Sequence, residues 1–266
     1  MIRAKKHLGQ HFLNSQSAIN AIVEAGEIKK TDIILEIGPG RGILTTALLT
    51  KAKQVIAVEK DVDLMPELQN KFSKEITSGR LYLISQDVLN LNFEKYRIKT
   101  NGYKLIANIP YYITGQIFRK FLETQHQPNQ IVVLIQKEVA ERIIAKDKKE
   151  SLLSLSVKAY GEPKIIKVVK AGSFSPPPKV DSAILAINNI SKKFFSDLDE
   201  KTFFHLIHLG FAHKRKQLVP NLAQAYNREK IISALEKLRI SKTIRAEDLS
   251  IDNWQKLANY LSQKIK

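Results

Sequence analysis

The sequence predicts an open α/β fold: a doubly wound parallel sheet followed by a smaller all-helical domain. Three observations predict it. Short apolar runs alternate with helical periodicity over the first part of the chain, a glycine cluster follows the first strand-like run, and beyond Asn188-Asn189 only helical periodicity remains. At 266 residues the chain can bury one large core and a smaller one.

In chain order, residues 5–14 (Lys5-Lys6-His7-Leu8-Gly9-Gln10-His11-Phe12-Leu13-Asn14) mix cations, glycine and aromatic rings without either period. They read as an ordered lid, part of a basic arm covering residues 1–14. A helix is expected over 17–25, with Ile19, Ile22 and Val23 on one face. Residues 33–37 form a nearly continuous apolar run, as in a strand buried on both faces of a parallel sheet. Gly38-Pro39-Gly40-Arg41-Gly42 then leads into a helix over 43–49, which opens a βαβ unit. The pattern repeats with a strand at 55–58 ended by Glu59 and a helix over 62–71. A third strand at 81–84 is ended by Gln86-Asp87. The fourth, at 104–107, delivers Asn108-Ile109-Pro110-Tyr111 and precedes a helix over 116–123. A fifth strand at 131–135 and a helix over 138–145 follow. Two β-rich runs, 165–169 and 182–187, bracket Pro176-Pro177-Pro178 and close a domain spanning residues 1–190. Residues 191–266 form the helical domain, with stripes such as Phe203, Leu206, Ile207 and Ile231, Leu235, Leu238.

The formal net charge is +17, which favours a polyanionic partner such as nucleic acid. Residues 190–266 hold 15 Lys or Arg against 8 Asp or Glu, so the helical part is the more densely basic. The absence of Cys excludes disulfides, Cys-based zinc sites and thiol catalysis. No metal site is expected. The basic N-terminus lacks the apolar core of a signal peptide, and no run is long enough to span a bilayer. A cytoplasmic protein without membrane attachment is expected, and nothing calls for more than a monomer.

The strand ends carry the chemistry. Gly38-x-Gly40-x-Gly42 is one residue shorter than the dinucleotide fingerprint, and no Lys-Ser/Thr pair marks a phosphate-gripping loop. Glycines there let the backbone approach a ligand. Glu59 lies about 20 residues further on, where a carboxylate accepts both hydroxyls of a ribose. NAD enzymes place an acid there too, so Glu59 alone indicates a ribose and not a reaction. Asp87 is placed to accept from an adenine amino group. Together Gly38, Gly40, Glu59 and Asp87 describe a pocket for an adenosyl group. After the next strand, Asn108 supplies an amide, Pro110 removes a backbone donor and Tyr111 offers a flat ring, which suits gripping and stacking a planar amine. An exocyclic amine is a poor nucleophile because its lone pair is delocalised into the ring. Holding its N–H bonds from Asn108 and a neighbouring backbone carbonyl would aim that lone pair without a strong base.

The Glu36-Ile37-Gly38-Pro39-Gly40 segment looks like the first motif of class I, Rossmann-like S-adenosylmethionine-dependent methyltransferases. Asn108-Ile109-Pro110-Tyr111 resembles the motif of methyltransferases acting on nucleobase amines. With Gly9-Gln10-His11-Phe12-Leu13, Leu134-Ile135-Gln136-Lys137-Glu138-Val139, the segment from Phe174 to Ser182 and Arg245-Ala246-Glu247 in the right order, the chain closely resembles the KsgA family of ribosomal RNA adenine dimethyltransferases over its length. The resemblance implies transfer of four methyl groups from S-adenosylmethionine to the N6 amines of two adjacent adenosines. These lie in a hairpin near the 3′ end of small-subunit rRNA, within the 30S particle, with a role in ribosome biogenesis. It places His11, Leu13, Gly38, Glu59, Asp87 and Asn108 at the cofactor. Many members carry Asn where His11 stands, which points to contact through the backbone. It sets Phe174 against Tyr111 as the second wall around a flipped adenine. Lys214, Arg215 and Lys216 match a basic segment of the family and are expected on the RNA backbone, with Lys214 where Arg is frequent.

Three rivals stand beside this reading. A resistance-conferring methyltransferase of large-subunit rRNA shares the fold and the Asn-x-Pro-Tyr motif, although the helical tail and triple proline favour the small-subunit type. A non-catalytic ribosome assembly factor is opposed by intact Gly38, Glu59, Asp87 and Asn108. An NAD-dependent oxidoreductase lacks its fingerprint spacing.

Overall fold

The computed structural model describes residues 5, 8–96, 98–213 and 215–262 of the protein, and its chain divides into two compact units. The first runs up to Ala140 and resumes over Glu162–Ile190. Its apolar runs become the strands β2 (Ile33–Ile37), β3 (Gln54–Glu59), β4 (Leu81–Ser85), β5 (Lys104–Asn108) and β6 (Gln130–Gln136) of one sheet, completed by β7 (Glu162–Val169) and β9 (Ser182–Asn188). A separate two-residue pair joins β1 (Phe12–Leu13) to β8 (Phe174–Ser175).

The seven-stranded sheet is ordered β4-β3-β2-β5-β6-β9-β7. The first five are mutually parallel, β9 runs antiparallel to β6, and β7 runs antiparallel to β9. Successive strands step outward from β2 to β4, then the chain returns to place β5 on the other side of β2. In open α/β sheets that reversal leaves a crevice at the carboxyl ends of the strands. The central strands bury both faces: Leu35, Val55, Leu105, Ile106 and every residue from Ile131 to Ile135 are fully shielded from solvent. This explains why they read as continuous apolar runs rather than alternating ones.

The helices of this unit are α1 (Gln16–Ala25), α2 (Ile43–Lys51), α3 (Met65–Lys71), α4 (Ser73–Thr77) and α5 (Thr114–Leu122). α1 is capped by Ser15 and buries Ala18, Ile19 and Ile22. The helix expected over 62–71 is instead a 3-10 turn at Val62–Leu64 followed by α3. Pro66, near the α3 start, has no N–H to give, which is tolerated only in a first turn. In the glycine loop Gly42 has φ +72°, and a Cβ there would lie 2.5 Å from the Phe72 ring. Glycine is therefore required there both by conformation and by space.

The second unit comprises Glu141–Gly161 and the chain from Ser191 onward, so the division falls inside α6 (Lys137–Ile143). Residues 141–161, expected with the sheet, group with the helices for a physical reason. No strand intervenes before β7, and α7 (Leu152–Lys158) packs on α8 (Glu200–Gly210). Tyr160, just beyond α7, donates a 2.6 Å hydrogen bond to Glu200 and stacks near Phe204. α7 begins with Ser151 and Ser154 bonding reciprocally, a capping box without the usual acidic partner. α9 (Leu218–Leu222), α10 (Arg228–Lys237) and α11 (Ile251–Ser262) complete the unit. The expected stripes are buried around Phe203, Leu206, Ile207, Ile231, Leu235 and Trp254. Leu238 is only half-buried because it serves as the α10 C-cap. Among the described residues no helix is long and apolar enough to cross a membrane.

Gly210 tests this packing. A Cβ there would run into the fully buried Trp254 ring. Helix propensity alone favours Gly→Ala by about 1 kcal/mol, whereas overpacking costs about 1–3 kcal/mol. Gly210→Ala is therefore expected to destabilise the protein in chemical denaturation; a gain in stability would contradict the packing.

Candidate active site

At the carboxyl edge of the sheet the ends of four parallel strands converge on one cavity that opens to solvent. β2 contributes Ile37 and then Gly38 and Gly40, β3 ends in Val58 and Glu59, β4 is followed by Gln86 and Asp87, and β5 delivers Asn108 to Tyr111. The arm residues Leu8 to Phe12 form the remaining wall. Gly38 and Gly40 have φ +66° and +57°, which points their backbone along the cavity.

Glu59 is buried and ties the glycine loop to β3. Its Oε2 accepts the Gly40 N–H at 3.1 Å and its Oε1 accepts the Asp61 N–H at 2.8 Å. Burial pushes its carboxyl up from the ordinary value. Asp61 holds the arm: it accepts from the Gln10 amide at 2.7 Å and from the Lys5 ammonium at 2.5 Å. Burial alone would raise Asp61, but the Lys5 and Gln10 hydrogen bonds outweigh it and hold the carboxyl below the usual range. Asp87 accepts the Leu89 N–H through Oδ1, while its Oδ2 lies 2.8 Å from the half-exposed Lys60 ammonium. That ammonium, more than anything else nearby, keeps Asp87 ionised to lower pH.

The Asn108 side chain donates one of its two Nδ2 N–H bonds to the His11 carbonyl at 3.1 Å, which fixes the orientation of the amide and with it the direction in which Oδ1 accepts. Tyr111 is half-buried, and its hydroxyl meets the buried Ser182 hydroxyl at 2.7 Å. Pro110 lines the same cavity.

The structure thus brings together His11, Gly38, Gly40, Glu59, Asp87, Asn108, Pro110 and Tyr111. Leu13 lies instead on an adjoining smaller cavity beneath the glycine loop. Phe174, expected to face Tyr111, is 3% exposed, pairs with Leu13 in the β1–β8 ladder and belongs to the apolar core. It lines neither cavity. An apolar ring ahead of a proline turn satisfies its hydrophobic surface in that core, so in this structure the Phe174 ring is turned away from solvent. Arg215 and Lys216 are exposed on the turn before α9, in the helical unit; Lys214 lies outside the described residues. Asn221 steadies that turn by donating to the Gly210 and His213 carbonyls. Among the described residues no His, Cys, Asp and Glu cluster could hold a metal ion.

One acid escaped a role in the sequence reading. Glu36 sits inside β2, 1% exposed, and neither carboxylate oxygen meets a donor in good hydrogen-bond geometry, although the buried Thr45 hydroxyl lies close enough to favour the ionised form somewhat. It faces the smaller cavity together with Gly38, Gly40 and Asn108. Burial pushes its carboxyl to about 8. A buried acid left without a partner is costly unless a ligand completes it, and a cationic ligand group would do so. The available signal was a carboxylate within an otherwise apolar buried strand.

Comparison with known proteins accords with this geometry. A family model described as ribosomal RNA adenine dimethylase matches residues 1–263. The chain is 44% identical over 258 residues to the ribosomal RNA small subunit methyltransferase A of Dehalococcoides mccartyi, covering 96% of this chain and 88% of that protein. A dimethyladenosine transferase from Plasmodium falciparum superposes with a TM-score of 0.79 at 26% identity, covering 93% of this chain and 96% of its own. The 23S rRNA methyltransferase ErmE shares the fold, with a TM-score of 0.76 at 24% identity over 95% of this chain and all of that one.

Glu36 generates a pH prediction. Its native value of about 8 lies above the 4.5 of a free carboxyl, so between them the folded chain binds more protons than the unfolded one. Stability should fall as pH rises through that window. In cofactor-free protein, Glu36→Gln is expected to remove this decline in denaturation measured across it; identical pH profiles would exclude an uncompensated buried carboxyl.

Proposed function

The chain belongs to the ribosomal RNA adenine dimethylase family, and from that premise we propose that it dimethylates the N6 amines of two adjacent adenosines in the 3′-terminal hairpin of small-subunit rRNA. The observation that carries the chemistry is the Asn108 amide at the cavity, oriented by the N–H it gives to the His11 carbonyl so that its oxygen is free to accept.

The fit to S-adenosylmethionine rests on the donor set. Glu59 is held by two backbone N–H groups with lone pairs to spare for ribose hydroxyls. Asp87 lies where an adenine amino group would share it with Lys60. A Cβ at Gly38 would find nothing nearer than the Asn108 carbonyl at 3.8 Å, so the loop has room beside it. The orphaned Glu36 carboxylate suits the ammonium of the methionine portion. When bound, S-adenosylmethionine supplies an electrophilic methyl on a sulfonium.

The rest falls to the chain. Asn108 Oδ1 and a backbone carbonyl beside Pro110 accept the two N–H bonds of the target amine and turn its lone pair toward the methyl. Tyr111, braced by Ser182, stacks on the purine after it has left its helix. Positioning of this kind lowers a barrier by several kcal/mol without a general base. The proton leaves to solvent once the nitrogen carries the new methyl and a positive charge. Release and rebinding permit the second transfer to the same nitrogen.

The formal charge of +17 supports an RNA partner, and exposed Arg215 and Lys216, with Lys214, are assigned to backbone phosphates. The reading extends to a monomer in the cytoplasm acting on 30S particles during ribosome biogenesis. The relatives named as small-subunit methyltransferases support that choice of subunit.

The test is to incubate the protein with methyl-labelled S-adenosylmethionine and unmethylated small or large ribosomal subunits, then map the labelled nucleotides. Label on two adjacent adenosines of the small-subunit hairpin is expected. Label confined to the large subunit would place the protein with the rival specificity, and absence of label in both would remove the activity.

A further inference from the structure

Phe174, the ring expected opposite Tyr111, is buried in the apolar core, and a different ring lies against Tyr111. His11 faces Tyr111 with ring centroids 6.0 Å apart and planes inclined by only 20°. Each ring is held at an edge, His11 by the turn that follows β8 and Tyr111 by the first residue of β9. His11 Nδ1 lies 2.8 Å from the Pro176 carbonyl, which can only accept, so Nδ1 carries the proton and donates. Tyr111 is held by Ser182. Both rings line the main cavity beside Asn108.

Building on the dimethylation reading, we propose that the His11 imidazole is the second wall of the acceptor slot and that the everted adenine inserts between it and Tyr111. Stacked bases lie about 3.4 Å apart, so a base between two rings needs a gap of roughly 7 Å. With the ring centroids only 6.0 Å apart, the slot must widen to admit a base. The Asn108 amide fixes the His11 carbonyl at 3.1 Å, so the arm backbone stays in place and the imidazole turns outward from Pro176. This separates two functions of one residue. The backbone of His11 sets the Asn108 acceptor, and its ring guides the base that Asn108 receives. His11 thereby acts on the RNA substrate through its side chain rather than on the cofactor.

The experiment compares wild type, His11→Ala, His11→Phe, His11→Gln and the His11→Ala/Tyr111→Ala double variant with its two parents. Methyl transfer kinetics use unmethylated small subunits, and cofactor affinity is titrated separately, which also reports folding. His11→Ala is expected to lose at least about tenfold in kcat/KM for RNA, as for one lost stacking face, with cofactor Kd changed by less than about threefold. His11→Phe, which keeps a ring but no donor, should recover most of that loss; His11→Gln, which keeps a donor but no ring, should not. The same contrast decides the matter if His11→Ala fails to fold. The double variant should lose less than the product of its parents, because one wall is of little use without the other. A cofactor Kd rising in step with the lost activity, or unchanged kcat/KM in His11→Ala, would overturn the slot. An active wild type with an indifferent His11→Ala removes the slot alone, whereas an inactive wild type removes the dimethylation reading with it.

Discussion

The hydrogen bond from the Asn108 amide to the His11 carbonyl is the constraint on which the site depends. An amide side chain at a strand end can present either its donor or its acceptor. Here the arm takes one N–H, which fixes the amide's orientation and therefore the direction of its oxygen. The same bond ties a short, aperiodic arm to the central sheet, while Asp61 anchors the arm's other end through Lys5 and Gln10. The arm therefore completes the cavity wall and sets the orientation of the amide. Its two anchors join β3 and β5, which lie on opposite sides of β2.

Around this bond the chain sorts its acids by environment. Glu36 and Glu59 are raised by burial, whereas Asp61 and Asp87 are held low by neighbouring cations. Four carboxyl groups thus gather at one end of a sheet in a chain whose formal charge is +17. A carboxyl held back from ionising by burial is one that a cationic ligand group would complete, and an excess of cations over the chain as a whole draws in a polyanion.

Much of this was legible in the sequence because a strand buried on both faces leaves an unmistakable apolar run. The residue that ends such a run then marks the rim of the sheet, which is why Gly38, Glu59, Asp87 and Asn108 could be placed together. Features without a period could not be read in that way. A two-residue strand such as Phe12–Leu13 has no alternation to detect, so its pairing with Phe174–Ser175 was invisible. That pairing is what seats Phe174 in the core beside Leu13. The Ser151–Ser154 cap lacks the acid that usually signals a helix start, and with α7 unseen, residues 141–161 stayed with the wrong unit. Glu36 stood in plain view within the glycine motif, but only its burial without a partner gives it a role.

The most direct measurement pairs two quantities in one variant, Asn108→Ala: the single-turnover rate of methyl transfer to unmethylated small subunits, and the Kd for S-adenosylmethionine. If the amide oxygen holds the target amine, the rate should fall by at least about a hundredfold, as for loss of one preorganised hydrogen-bonding group, while Kd stays within about tenfold of wild type. A rate that survives, or one that falls only as far as cofactor affinity does, would contradict the role of Asn108 in aiming the nucleophile.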